Sequence, residues 1–177
     1  MRAVLRFQWL AVALALMLGA CANVQFVDRY DVAIEDGVNK YHKDVIKFLK
    51  DNVAYSSPQA KQFYSTAAAD LANVIVRAQV VAVRSSCDDG KFAETIAAAV
   101  RNGATAAGLP DPGAADVSLQ DGSCTVVALK VLQANHVRLE AMHKRTNTLG
   151  AFRTALWAEL MDSSVRIALT TEAANKI

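Results

Sequence analysis

The stretch His143–Arg153 reads HKRTNTLGAFR, and the path of the backbone through it decides the fold. Before it, Leu129, Leu132, Leu139 and Met142 recur at helical spacing. After it, Leu149, Phe152, Leu156, Leu160 and Ile167 do the same. Followed straight through, the pattern describes one continuous helix of about 50 residues, with Thr146 and Arg153 on its inner seam. Thr146, Asn147, Thr148 and Gly150 are modest helix formers, so a turn is the better reading. It divides the region into a helix from about Ser123 to Arg145 and another over about Leu149–Ala174.

Working outward, Val27, Tyr30, Ile34, Val38, Tyr41, Val45 and Phe48 form one face of a helix expected over about Asp28–Val53. Asp28 is its expected cap, with Asp31 in the favourable first turn. Ser57-Pro58 is a capping serine followed by proline at the first helical position. The helix it opens runs to about Arg84 or Ser85, with Phe63, Ala67, Leu71, Val74, Ala78 and Val81 as its stripe. Residues Ser86–Ser123 break the pattern with the turn signals CDDG, GLPDPG and QDGS. A short helix, about Phe92–Asn102, lies between the first two. The fold expected is all-α: a four-helix up-down-up-down bundle over 28–177, with a disulfide-tied insertion, 86–123, carrying the short extra helix.

At the N-terminus, Arg2 and Arg6 precede a run from Trp9 to Ala22 without a charged or strongly polar residue. This is shorter than the about 20 residues a transmembrane helix needs and suits a signal-peptide core. Leu18-Gly19-Ala20-Cys21 resembles the lipobox of bacterial lipoproteins. The resemblance implies that residues 1–20 are a signal peptide removed before Cys21. It further implies lipid on the Cys21 sulfur and new amine, with residues 21–27 as a lipidated tether. Several acyl chains make attachment stable where one does not. Cleavage after Ala20-Cys21-Ala22 is the alternative, and would release a soluble periplasmic protein. Alanine rather than aspartate at position 22 implies the outer membrane, facing the periplasm, where the host is Gram-negative. With Cys21 taken out of the thiol pool, Cys87 and Cys124 remain, and in an oxidising compartment they form one disulfide.

The chain carries 19 basic and 17 acidic residues, and Arg2 and Arg6 leave with the signal while no acid does. The remainder is neutral in its side chains, without a block of like charge. That removes the usual electrostatic argument for nucleic acid as a partner. A hydrophobic share of 53%, rich in alanine, suits closely packed helices rather than disorder.

No nucleophile motif, glycine-rich phosphate loop or paired metal-binding cysteines stands in the sequence. Three features stand out instead. His136, Glu140 and His143 fall on one rim of a helix, where they could bind a metal, or form a polar network that needs none. Arg153 sits among leucines and must pair or reach outward, with Glu140 as its candidate partner. On the helix after Ser57, the residues Asp70, Asn73, Arg77 and Arg84 crowd into one narrow sector. Most of its circumference is left apolar, which calls for a cover: either the short helix at Phe92–Val100 or another protein chain. The function expected is that of a membrane-anchored envelope lipoprotein acting as a non-enzymatic scaffold or interaction module. It needs no cofactor, and its partner is another envelope protein or a second copy. The alternative is a metal- or haem-binding bundle using His136, Glu140 and His143, with His42 as a further ligand.

Overall fold

Asp31 begins the first helix: its extended backbone and its side chain, which accepts from the Ala33 N–H, cap α1, Val32–Asp51. The cap lies three residues beyond the expected Asp28. The computed structural model describes residues 29–84, 86, 87, 90–107, 118, 120 and 122–174. The signal, cleavage and lipidation readings and Asp28 lie outside the described residues, as does most of the stretch 108–121.

Ser57 caps α2, Pro58–Val81, by accepting from the Ala60 N–H, with Pro58 in the first turn as its sequence requires. The helix stops short of Arg84 because the chain extends at Ala82 on its way to Cys87. Cys87 is joined to Cys124 by the expected disulfide. The helix within the insertion, α3, spans Gly90–Ala107 and is longer than expected. Gly103 weakens it without ending it, since the run Ala104–Ala107 favours helix again. Then follow α4, Cys124–Thr146, and α5, Gly150–Ala173.

The turn at HKRTNTLGAFR is present. Asn147 ends α4 in the left-handed conformation at φ 57°, its N–H donating to the His143 carbonyl, and Gly150 follows at φ +66°. Asparagine and glycine tolerate that region better than other residues, so the continuous helix is excluded by local chemistry. The turn is also tied to the loop after α1: Tyr55 N–H donates to the Asn147 carbonyl at 2.8 Å, and Ser56 N–H to Asn147 Oδ1 at 3.2 Å.

The chain is all-helical, with five helices and no strand among the described residues. None of the described helices is long and apolar enough to cross a membrane. α1 packs against α2 and α5, and α4 against α2 and α5, while α3 lies on α4 and α5. α3 does not pack on α2, so it does not supply the cover expected there. The reason is its anchorage: Cys87 is fastened at the first residue of α4, which draws the insertion to the α4 side.

The core faces of α1 and α2 agree with their stripes: Ile34, Val38, Tyr41, Val45 and Phe48 are buried, as are Ala67, Leu71, Val74 and Ala78. α5 is rotated from its expected face. Of the expected stripe Leu149 and Leu160 are buried, but Phe152 is 81% exposed, and Trp157, Met161, Val165 and Ala168 make up the rest of the buried face. Leu156 and Ile167 turn instead toward α3, where they line hollows with Thr105 and with Phe92. Two apolar faces exist on α5 because two sets of helices cover it.

Candidate functional site

Position on α4 sets the environment of His136 and His143. Flanked by α2, α3 and α5, this helix is buried around most of its circumference, so both residues are 1% exposed rather than at a rim. Tyr41 of α1 and Tyr64 of α2 reach in to meet them. Tyr41 Oη lies 3.1 Å from His136 Nδ1, and His136 Nε2 lies 3.3 Å from the Tyr64 carbonyl oxygen. A carbonyl only accepts, so Nε2 carries the proton and Nδ1 accepts from the Tyr41 hydroxyl. Tyr64 Oη lies 2.9 Å from His143 Nδ1. The chain Tyr41–His136–Tyr64–His143 thus crosses three helices inside the core.

The surroundings are aromatic. Phe48 stacks on Phe63 at 3.9 Å between centroids and meets Tyr64 and His143 edge-on. Burial lowers the pKa of His136, opposed by the Tyr64 carbonyl and the Glu140 charge. Burial also lowers that of His143, with the backbone of Val53 and Asn147 opposing the shift. That backbone completes no hydrogen bond to His143 Nε2, which is buried without a partner among the described residues. The Tyr41 and Tyr64 hydroxyls are pushed up, mainly by desolvation. Both imidazoles are therefore held neutral and both phenols protonated.

The three residues of the candidate metal rim are not brought together. His136 is held by Tyr41 and Tyr64, His143 by Tyr64, and Glu140 Oε1 accepts from the Tyr55 hydroxyl at 3.1 Å. Among the described residues, no group of three or more histidine, cysteine or carboxylate side chains could hold a metal ion. His42 faces elsewhere, on α1 beside Asp162 of α5, with 3.3 Å between Nε2 and Oδ1. The pair Glu140–Arg153 does not form either. Arg153 lies exposed on the face of α5 that turns away from the core, as the rotation of that helix requires. The buried arginine is Arg138, 6% exposed, whose Nη1 donates to Asn135 Oδ1 at 2.9 Å; Asn135 Nδ2 in turn donates to Ser164 Oγ at 3.1 Å. Asn135 lies within about 60° of Leu132 and Leu139 on the helical wheel and Arg138 stands seven residues after Val131, on the same line, the signal that could have placed them inside.

Two surfaces complete the picture. Between α1 and α2 opens a groove of about 410 Å³, with Tyr41, Phe48 and Phe63 along it and Asp44, Lys47, Asp51 and Asp70 at its edge. Lys40 bridges Asp44 and Asp70 across it. The groove belongs to the C-terminal half of α1 and the N-terminal half of α2. At the opposite end of these helices, Asp31 N–H donates to Glu172 Oε1 at 2.6 Å, and Arg77 Nε to Asp31 Oδ2 at 2.6 Å. The start of α1 is thereby clamped to the ends of both α2 and α5. The guanidinium of Arg77, ahead of the Ala33 N–H, holds the Asp31 carboxyl below the usual carboxylate range. Beside this clamp, Val76, Val80 and Val83 are 58%, 79% and 48% exposed.

Compared with protein-family models, with curated proteins and with solved structures, the chain matches none.

Proposed function

We propose that this protein is a lipid-anchored envelope protein, most simply of an outer membrane facing the periplasm, and that it acts as a non-enzymatic scaffold for another envelope protein. The helices α1, α2, α4 and α5 form a four-helix up-down-up-down bundle on this reading. Its support is the bonding of the α1–α2 loop to the α4–α5 turn at one end and of α1's start to the ends of α2 and α5 at the other.

The observation that carries the functional reading is the clamp at Asp31. A tether entering there transmits its position to the whole domain instead of to a fraying helix end. The partner's place is the groove between α1 and α2, about 20 Å further along α1 at 1.5 Å per residue and so held away from the lipid. Its aromatic wall of Tyr41, Phe48 and Phe63, in a rim where Lys40 already bridges Asp44 and Asp70, favours a segment that sets an apolar side chain against those rings.

Native mass spectrometry of the full chain, extracted gently in detergent from its own membrane, tests this. The expected species carries lipid mass on Cys21 and a stoichiometric second protein, which Phe63→Asp in the groove dissociates. A chain without lipid overturns the anchor. A chain whose partner survives that substitution overturns the groove, and a stoichiometric metal or haem mass overturns the functional class.

A further inference from the structure

The helix ends that meet at the α1–α2 loop and the α4–α5 turn carry charge of one sign. Within 47–61 and 142–153 stand Lys47, Lys50, Lys61, Lys144, Arg145 and Arg153, with Asp51 as the lone acid. At the other end of these helices, 29–36, 77–84 and 166–172 hold four arginines and four carboxylates. The N–H groups of Tyr55 and Ser56 donate to Asn147, so the two cationic segments are fixed to each other and share one end of the fold. All six cations are exposed. Lys47, Lys50, Lys61, Lys144 and Arg153 join no ion pair among the described residues. A chain of net charge +2 therefore gathers uncompensated cations at one end, against their mutual repulsion.

We infer that this end receives an acidic peptide segment of the partner protein, with Phe152 as the apolar contact beside the cations. This deepens the scaffold reading and rests on it for the partner's being a protein. Phe152 lies in the first turn of α5 next to Arg153, with Ala151 and Ala155 exposed around it. It is the only exposed aromatic side chain among the described residues. Lysines outnumber arginines here, and an ammonium on a long stem pairs with carboxylates at varied spacing, where a rigid fork demands one geometry. The groove between α1 and α2 leads onto the same end: Lys47 lines it, and Lys50 follows one turn on. Cations at the border of an apolar contact steer an acidic partner in and turn a basic one away.

Other anionic occupants fit less well. α1 is 20 residues long, about 30 Å, and the chain to Cys21 leaves from its opposite end. A lipid anchor therefore sets the cationic end away from the bilayer. A nucleic-acid strand is held by successive aromatic platforms along a charged groove, and one phenyl ring does not make such a series.

Fluorescence anisotropy on the full-length protein, held in a non-ionic detergent, tests this. The probe is a labelled peptide of alternating glutamate and aspartate around one central leucine. The salt is about 0.15 M, where exposed charges more than about 8 Å apart are largely screened. Lys144→Glu with Arg153→Glu should weaken binding about tenfold or more, and Phe152→Ser several-fold. Arg29→Glu with Lys91→Glu makes the same change in net charge elsewhere and should leave the affinity within about twofold. Circular dichroism checks that each variant folds, and Lys144→Gln with Arg153→Gln replaces a reversal that does not. Equal losses from the two reversals overturn the inference, because net charge alone then accounts for binding. Unchanged binding when serine replaces the peptide's leucine overturns it too. Tighter binding of an oligothymidylate strand, or of phosphatidylethanolamine–phosphatidylglycerol vesicles, through the same residues makes the occupant nucleic acid or lipid and also overturns it. Native mass spectrometry keeps the two readings apart: a chain that binds the peptide but carries no second protein upholds the acidic-peptide site and ends the scaffold reading.

Discussion

Tyr64 Oη lies 2.9 Å from His143 Nδ1 while the backbone carbonyl of the same residue accepts from the His136 Nε2–H, so one residue of α2 holds both histidines of α4. Each bond lies in the core, where water does not compete and a lost partner is costly. The chain of polar groups acts as a register device between α1, α2 and α4. Apolar contacts tolerate a slip of one turn more readily than four directional groups do.

Removing the Tyr64 hydroxyl tests that role. Tyr64→Phe leaves His143 with both ring nitrogens unpaired and should destabilise the fold by about 1–3 kcal/mol. Combining it with His143→Phe should recover part of the loss, because the orphaned imidazole goes too. Chemical denaturation of the single and double variants measures the coupling. Strictly additive losses would show that the bond contributes nothing beyond packing.

Acid should weaken the protein through the same residues. His136 and His143 have pKa values lowered by burial, so the unfolded chain binds protons first as pH falls. Their contribution is fully present above the unfolded value of about 6.5 and is lost progressively below it. Urea unfolding at intervals from pH 7.5 to 5 should show declining stability, with a shallower decline for His136→Gln. Equal slopes for the two proteins would remove His136 from the account.

Gly37 on α1 faces Val74 on α2, and a Cβ added there would lie 2.5 Å from Val74 Cγ2. In an open helix, glycine to alanine is favourable by about 0.5–1 kcal/mol. Here the sign should reverse. Gly37→Ala should lower stability by about 1–3 kcal/mol, since a β-branched neighbour has little freedom to move aside. Adding Val74→Ala should restore part of the loss, and thermal melts of the pair decide it.

The Cys87–Cys124 bond closes a separation of 37 residues. Reduction should cost about 4 kcal/mol on the chain-entropy account. The effect should be local first. Among the described helices α3 contacts only α4 and α5, and its loop loses the tie at its base. Hydrogen exchange should show α3 deprotected by reductant well before α1. Simultaneous deprotection of both helices would mean that the bond supports the whole fold rather than the insertion.

Much of the architecture was legible along the chain. The Ser57-Pro58 start, the Asn147–Gly150 turn and the faces of α1 and α2 follow from local chemistry: capping oxygens, residues that tolerate left-handed backbone, and apolar spacing. The pairing of Cys87 with Cys124 followed from counting. The candidate site was less accessible. His136, Glu140 and His143 do share a helix face, and periodicity alone points them to a common ligand. Three different hydrogen-bonding arrangements with Tyr41, Tyr55 and Tyr64 instead draw them apart, and no spacing rule encodes a tyrosine arriving from another helix.

Local sequence therefore determined the helices, most of their ends and the inward stripes of α1 and α2, because a helix forms and stops on interactions within a few residues. Tertiary structure alone decided which helix α3 covers and how α5 is rotated. It also decided that Arg138 is buried while Arg153 is exposed, and that Val76, Val80 and Val83 stand exposed among the described residues. An apolar stripe specifies that something must bury it. Which element does so depends on how all the helices pack at once, with the insertion fastened at the head of α4.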